Sequence, residues 1–306
     1  MSKPEKRKIS GILLLDKPRG ASSNNALQKV KRIFSAAKCG HTGTLDPMAT
    51  GLLPICFGEA TKFSSFLLGA KKSYIATLKL GFLSTTGDVE GEIHRLEISE
   101  YPTQAKCEQI LSQFIGVTQQ IPPMYSALKH QGKPLYQYAR TGSIIARPAR
   151  EINIDALHML SLQQNELRIS IRCSSGTYVR VLAEDIGKAL GCGGAYLTDL
   201  RRTATGQFDI AQAQTLEAIE NLDDDERQHF LLSVDNMLQE YPMIQLDALA
   251  AKYILQGRIV SSSSACGELT AGAMARLYNE RQQFLGLGVI TAERTIAAKR
   301  LLSDIQ

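Results

Sequence analysis

The residues best suited to chemistry fall in one short stretch, His41-Thr42-Gly43-Thr44-Leu45-Asp46-Pro47. It sets a carboxylate among glycine, threonines and a proline, a composition that gives an ordered loop with a specific backbone path. An ionised carboxylate can attack carbon or take a proton. Alone, such an Asp reads as a turn residue whose oxygens satisfy local amides. A second candidate lies far along the chain. Ser174-Ser175-Gly176-Thr177 makes a turn and helix cap, and Arg180 falls at the start of the helix that follows. Helix N-termini disfavour cations, so an arginine there reads either as a surface residue or, less ordinarily, as one that meets a partner. Other chemistries find no support. The six cysteines are scattered with no CxxC pair, and the five histidines are isolated, without zinc spacing. Neither a Walker loop nor a strand-linked GxGxxG is present. Gly191-Cys192-Gly193-Gly194 reads as a helix-terminating turn. Asp223-Asp224-Asp225-Glu226 reads as a solvated loop or helix cap.

The elements that must position these residues are partly visible. Residues 11–15 read as a short buried strand, and Asp16-Lys17-Pro18-Arg19-Gly20 turns the chain. Ser22 or Ser23 can cap a helix with Leu27, Val30 and Phe34 on its apolar face. Residues 41–62 break the amphipathic pattern and read as loop. Tyr74, Ala76, Leu78 and Leu80 alternate as on a strand, as do Leu167, Ile169, Ile171 and Cys173. Leu182, Ile186 and Leu190 mark a helix. A helical connector is predicted after the acidic cluster, broken at Tyr241-Pro242. Beyond it, a polar turn at Ser261–Ser264, glycines at 267, 272, 286 and 288, and a strand over Phe284–Ile290 suggest a small β-rich module. The expectation is an α+β domain over 1–242, with a basic N-terminal segment 1–40, and a β-rich domain over 243–306.

The 306 residues are 44% apolar and 21% charged, which excludes disorder over most of the chain. No apolar run approaches the ~20 residues of a spanning helix, and no secretory signal is evident, so a cytoplasmic protein is expected. The net charge of +5 is unevenly placed. Residues 1–40 hold ten Lys/Arg against two acids, and the remaining 266 hold 25 against 28. The basic excess near the N-terminus could steer an acidic partner.

The motif order makes the chain similar to a known family. HTGTLDP (41–47) resembles the signature loop of bacterial tRNA pseudouridine-55 synthases of the TruB type. DKPRG (16–20), GLLPICFGEATK (51–62), KSYIATLKLG (72–81), Gly87-Asp88, QIPPMYSAL (120–128), CSSGTYVR (173–180) and Leu200-Arg201-Arg202 follow in that family's order. The tail resembles its PUA-type RNA-binding module. The resemblance implies a catalytic domain built on a mixed, largely antiparallel central sheet flanked by helices. It implies isomerisation of uridine to pseudouridine at position 55 in the T loop of tRNA, with the target base flipped out. Nothing is oxidised or lost in that reaction, so neither a cofactor nor a metal is expected. Asp46 is implied as the catalytic carboxylate, and Arg180 as its always-charged partner. Tyr74 is implied as the stacking residue, Tyr178 and Leu200 as walls of the uracil pocket, and His41 as the residue against the substrate loop. Asp88 takes a supporting polar role. Lys62, Arg201 and Arg202 are candidate phosphate contacts, with Lys29, Lys31 and Arg32 on the first helix. Lys17 and Gly20 are expected to shape their turn.

Two departures stand out. Ser84-Thr85-Thr86 replaces an acid common in the family two or three residues before Asp88, and Ser175 stands where a lysine is common. The expected partner is the T-arm stem-loop of tRNA, read by shape and splayed bases, with no membrane partner and the protein acting as a monomer. Two other readings compete. One is a tRNA-binding chaperone, either non-catalytic or as an added role. The other is a guide-RNA-dependent pseudouridine synthase subunit, which shares the loop around Asp46.

Overall fold

The computed structural model describes residues 6–261 and 269–303. The apolar run near the N-terminus forms β1 (Gly11–Lys17). Ser22 then caps α1 (Ser23–Ile33) by accepting the Asn25 N–H, and Leu27 and Val30 are buried on that helix. After β2 (Cys39–His41) comes β3 (Thr50–Phe57), antiparallel to β1. Both long strands are buried on two faces, which is why they read as continuous apolar runs rather than alternations. Leu13, Leu15, Leu53 and Ile55 face one core, while Ile12, Leu14, Leu52 and Cys56 face another.

β3 corrects the expectation of a loop over 41–62: only 42–49 is loop, and the rest is strand followed by the short helical turn Gly58–Lys62. Pro54 concealed the strand, because proline cannot donate to a ladder. Its carbonyl accepts the Thr42 N–H, so its nitrogen faces the same side. There β2 pairing has already ended at His41 opposite Ile55. The ladder to β1 is untouched, with Pro54 opposite Leu14.

Next come α2 (Ser64–Gly69) and β4 (Lys72–Leu80), whose alternating residues are buried as the sequence predicts. β5 (Phe82–Ser84) and β6 (Ile93–Arg95) pair as a hairpin. α3 (Gln104–Ser112) leads to β7 (Gly116–Gln120), then to a second hairpin of β8 (Lys129–His130) and β9 (Lys133–Pro134) and to α4 (Leu135–Arg140). β10 (Arg150–Gln163) and β11 (Glu166–Cys173) are antiparallel. α5 (Val179–Ala189) and β12 (Ala195–Thr205) follow. Behind them are β13 (Phe208–Asp209), β14 (Gln214–Thr215), α6 (Leu216–Glu220), α7 (Asp224–His229) and β15 (Leu231–Leu232).

The central sheet runs β14-β1-β3-β12-β4-β11-β10-β7, with β2, β13 and β15 added at its flanks. Its pairs are antiparallel except β1 with β14 and β3 with β12, so the sheet is mixed and largely antiparallel. α1, α3 and α5 contribute apolar faces to the larger core. Asp223 caps α7 in a full capping box, so the acidic cluster is a helix start. The predicted helical connector is corrected. After α7 the chain adds β15 antiparallel to β1 and then a short helical turn, Val234–Leu238. Leu231 and Leu232 gain more by pairing with an already buried strand than by extending a helix into solvent.

The C-terminal sheet comprises β16 (Met243–Gln245), β17 (Val260–Ser261), β18 (Met274–Tyr278), β19 (Phe284–Ile290) and β20 (Thr295–Leu301), in the order β16-β18-β19-β20-β17. α8 (Ala248–Leu255), which the sequence did not reveal, packs on it. Of the expected turn Ser261–Ser264, all but Ser261 lies outside the described residues, as does Gly267. Leu287 and Leu302 enter the second core beside Phe63 and Leu67, joining the two sheets. Among the described residues no helix is long and apolar enough to cross a membrane.

Candidate active site

Asp46 sits in the 42–49 loop between β2 and β3, and the backbone on both sides of it is clamped. The Ser23 hydroxyl accepts the Leu45 N–H at 2.8 Å and donates to the Leu45 carbonyl at 2.9 Å. The Gly20 N–H donates to the Pro47 carbonyl at 2.8 Å. Arg202 reaches the loop from β12, donating from Nε to the Leu52 carbonyl at 2.6 Å and from Nη2 to the Gly43 carbonyl at 3.1 Å. The approach of β3 to β12 is close enough that a Cβ on Gly51, at φ +102°, would lie 2.2 Å from the Arg202 carbonyl oxygen. Preorganisation of this kind fixes a reacting group before substrate arrives.

Arg180 projects from the first turn of α5 and is 6% exposed. Its Nε lies 3.0 Å from Asp46 Oδ2, and its Nη2 lies 3.4 Å from Oδ1. Nη1 donates to the Thr86 carbonyl at 2.9 Å, and Nη2 also donates to the Tyr125 carbonyl at 2.8 Å. Asp88, buried at 2%, lies 3.7 Å from Nη1. It accepts hydrogen bonds from Thr86 Oγ1 at 2.6 Å and the Glu90 N–H at 3.0 Å. The Ser84 hydroxyl donates to the Asp88 carbonyl at 2.5 Å. In this chain, then, two hydroxyls of the Ser-Thr-Thr departure hold Asp88 in place.

Electrostatics pull Asp46 both ways. Burial pushes its carboxyl above the ordinary range. The charges of Arg180 and Lys17 pull it back, and Asp88 adds to the push. Lys17 is fully buried and donates to the Pro18 and Ala21 carbonyls at 2.8 and 2.7 Å, shaping its turn as expected. Burial takes its ammonium down to about 8, against the raising effect of Asp46. Burial and then the Arg202 charge lower His41, whose buried Nδ1 finds no hydrogen-bond partner among the described residues.

The expected site residues separate into groups. Asp46, His41, Asp88 and Arg180 line one cleft of about 990 Å³, together with Glu90, Tyr136 and Arg140. Tyr74 (9% exposed) and Leu200 (6%) are buried on β4 and β12 and are not among the residues that line it. Burial raises the Tyr74 phenol, and the charges of Arg202 and Asp46 both reach it. Tyr178 is the residue just before α5, with burial as the largest influence raising its phenol.

The expected phosphate contacts are placed differently. Arg202 is corrected outright: at 1% exposure it is internal and holds the loop that carries Asp46. Its neighbour Arg201 points to the opposite face and makes a two-pronged pair with Asp16, at 3.1 and 2.6 Å. Lys62 donates to Glu59 Oε2 at 2.7 Å and Ser303 Oγ at 2.6 Å, bracing the C-terminal sheet. On α1, Lys29 pairs with Glu220 at 2.8 Å. Lys31 and Arg32 have no acidic partner among the described residues.

Sequence reasoning missed the main-chain acceptors at Thr86 and Tyr125, the clamp by Ser23, and the cleft acids Glu90 and Glu92. It also gave no role to Gln120, which the motif QIPPMYSAL contains. Main-chain acceptors leave no mark in residue types, so only the motif order hinted at them.

The comparisons with known proteins agree along the whole chain. Residues 31–179 match the TruB family pseudouridylate synthase N-terminal domain. Residues 180–239 match the tRNA pseudouridylate synthase B C-terminal domain, and 242–302 match the pseudouridine synthase II TruB C-terminal domain. A protein of Nitrosospira multiformis named tRNA pseudouridine synthase B is 56% identical, over 99% of this chain and 98% of its own. One of the same name from Methylobacillus flagellatus is 51% identical over 97% and 96%. Among solved structures, a Cbf5-Nop10-Gar1 complex shares the fold, with a TM-score of 0.70 at 22% identity over 96% of this chain and 84% of that one. An H/ACA RNP bound to a substrate RNA containing 2'-deoxyuridine gives 0.70 at 20% identity over 96% and 85%.

Proposed function

The chain belongs to the TruB family of pseudouridylate synthases, and from that membership we propose that it isomerises uridine 55 in the T loop of tRNA. It is an isomerase that makes pseudouridine in tRNA. The N1–C1′ bond of the target nucleotide breaks, the base turns, and a C5–C1′ bond forms. C5 gives up its proton and N1 gains one. Asp46 is the reacting carboxylate, and Arg180 aims it. The observation that carries this assignment is the two-point contact between them in the lining of the cleft, at 3.0 and 3.4 Å.

The flipped uracil stacks on Tyr74, an interaction worth about 1–3 kcal/mol per base. Leu200 and Tyr178 wall that position, and a drier pocket strengthens the ion pair. His41, at the mouth, faces the opened loop, and Asp88 steadies Arg180. Flipping costs a few kcal/mol, and the substrate that supplies splayed bases for this is the T-arm stem-loop. The protein acts as a monomer in the cytoplasm, with residues 1–242 as the catalytic domain and 243–306 as a PUA-like RNA-binding domain. Support for that division comes from the separate five-stranded sheet that begins at Met243.

The test is direct. Purified protein is incubated with an unmodified tRNA transcript, and pseudouridine is mapped by mass spectrometry. Wild type yields product at position 55, and an isolated T-arm stem-loop suffices. No product at stoichiometric enzyme overturns the reading. Product from Asp46→Asn at the wild-type rate overturns the catalytic assignment.

A further inference from the structure

Arg180 lies on an element that has no side-chain cap of its own. Tyr178, the residue before α5, contributes no capping hydrogen bond from its side chain. The first turn of a helix leaves backbone groups without intrahelical partners, and this is the turn whose geometry aims the guanidinium. The missing support comes from another part of the chain. Gln120 ends β7, the edge strand of the central sheet, and its side chain is turned inward at 5% exposure. Its Oε1 accepts the Tyr178 N–H at 2.8 Å, and its Nε2 donates to the Tyr178 carbonyl at 3.1 Å. One amide thus grips both polar groups of a single residue, as a neighbouring strand would.

The same segment makes a second contact with the same turn. Five residues after Gln120, the Tyr125 carbonyl accepts from Arg180 Nη2 at 2.8 Å. Between them runs Ile121-Pro122-Pro123-Met124, in which each proline fixes its own φ and restricts the residue before it. A stiffened link therefore joins the grip on the backbone of α5 to the grip on its arginine. Gln120 touches neither Asp46 nor the cleft.

We propose that Gln120 is a positioning residue for the reaction, setting the start of α5 through Tyr178 so that Arg180 meets Asp46 with two points of contact. This rests on Asp46 and Arg180 being the reacting pair, and goes beyond it by naming the group that holds the pair in register.

Gln120→Met keeps the side-chain length and approximate shape and removes both hydrogen bonds. Gln120→Asn stays uncharged and is one methylene too short to hold both groups. The expected result for Gln120→Met is a fall in kcat of about ten- to a hundredfold, the scale of a small misplacement of a catalytic group, with KM for tRNA within about twofold. The acid limb of the pH profile also moves to higher pH, because a displaced guanidinium lowers the Asp46 carboxyl less. The groups that act on that carboxyl are Arg180 from α5, Lys17 from β1 and Asp88 from the 85–92 loop. Its own charge is felt at Glu90, Tyr74 and Tyr178. Gln120 carries no charge and can act on the limb only through the geometry of these groups.

A folded Gln120→Met with wild-type kcat and limb overturns the proposal. So does a lower kcat with an unmoved limb, since that is loss of active protein alone. If Gln120→Met does not fold, Gln120→Asn, which is also uncharged, decides by the same two measurements. Asp46→Asn is run alongside. If it is active, the reading of the reacting pair has failed; if it is inactive while Gln120→Met is normal, only the role of Gln120 has failed.

Discussion

Asp46 must be ionised to attack carbon or accept a proton, and its surroundings oppose that more than they favour it. Burial and Asp88 raise the carboxyl, and Arg180 and Lys17 lower it by less. A carboxyl raised in the folded enzyme is protonated first as pH falls, so the acid limb of kcat/KM should lie above the ordinary carboxylate range. Asp88→Asn removes a raising charge and should move that limb to lower pH. Arg180→Ala removes the main lowering charge and should move it up, with kcat falling at least a hundredfold. A pH–rate profile of each variant checks both signs. Breaking a buried ion pair from one side costs about 3–5 kcal/mol. Asp46 is about one-third exposed, so a thermal melt of Arg180→Ala should show a loss near the lower end. The identities of both partners were legible through the motifs that carry the family resemblance. The depth of Arg202 was not. Adjacent residues on a strand point to opposite faces, so one of Arg201 and Arg202 had to be internal. Nothing in the two letters says which face the fold closes.

Elements were legible where the pattern had a period or, as in β1, where an apolar run was unbroken, and obscure where a proline interrupted a run buried on both faces. The alternation in β4 and β11 and the apolar spacing of α1 and α5 are visible in the sequence because each element has one wet side. β3 has none, and its proline argued against a strand until its position past the end of β2 was known. α8 and β15 are short, and each depends on a partner distant in sequence. The loop carrying Asp88 had a glycine whose need only the structure explains. Gly87 has φ +78°, and a Cβ there would stand 3.1 Å from the Arg180 Cβ. Both the backbone and the arginine must shift to admit alanine. Residues held in unfavourable φ/ψ cost about 1–3 kcal/mol. Gly87→Ala should therefore lower the melting temperature and reduce kcat about tenfold or more, with the larger relative effect on kcat because the displaced atoms belong to Arg180. Steady-state kinetics beside a thermal melt separate the two. A lowered melting temperature with unchanged kcat would show that Arg180 absorbs the intrusion without losing Asp46.

At the scale of the whole molecule, the two sheets share a core. Ile12, Leu14, Leu52 and Cys56 turn one face of β1 and β3 toward Leu287 and Leu302, while the opposite face supports α1. Leu287→Ala should cost about 2–5 kcal/mol and leave a single calorimetric transition, because the strands that flank the Asp46 loop lose packing with it. The charge distribution bears on a different question, how tRNA is held. The basic excess of the first 40 residues is partly cancelled in the fold, with Arg7 paired to Asp224 and Lys29 to Glu220. Lys31 and Arg32 keep no such partner among the described residues and sit in the last turn of α1. An 11-residue helix is about 16 Å long, and residues 22–24 at its other end line the cleft. Cations so far from Asp46 can hold phosphates but cannot select the base. Each phosphate contact contributes about 0.7–0.9 to the slope of log K against log salt. Replacing Lys29, Lys31 and Arg32 together by alanine should flatten that slope for tRNA by about 1.4–1.8, the share of two contacts rather than three, since Lys29 is already engaged. The modified position should not change. Binding titrations across a salt series, with mapping of the product, test both halves. An unchanged slope would remove α1 from the RNA surface, and a shifted position would mean that this helix helps to choose the uridine.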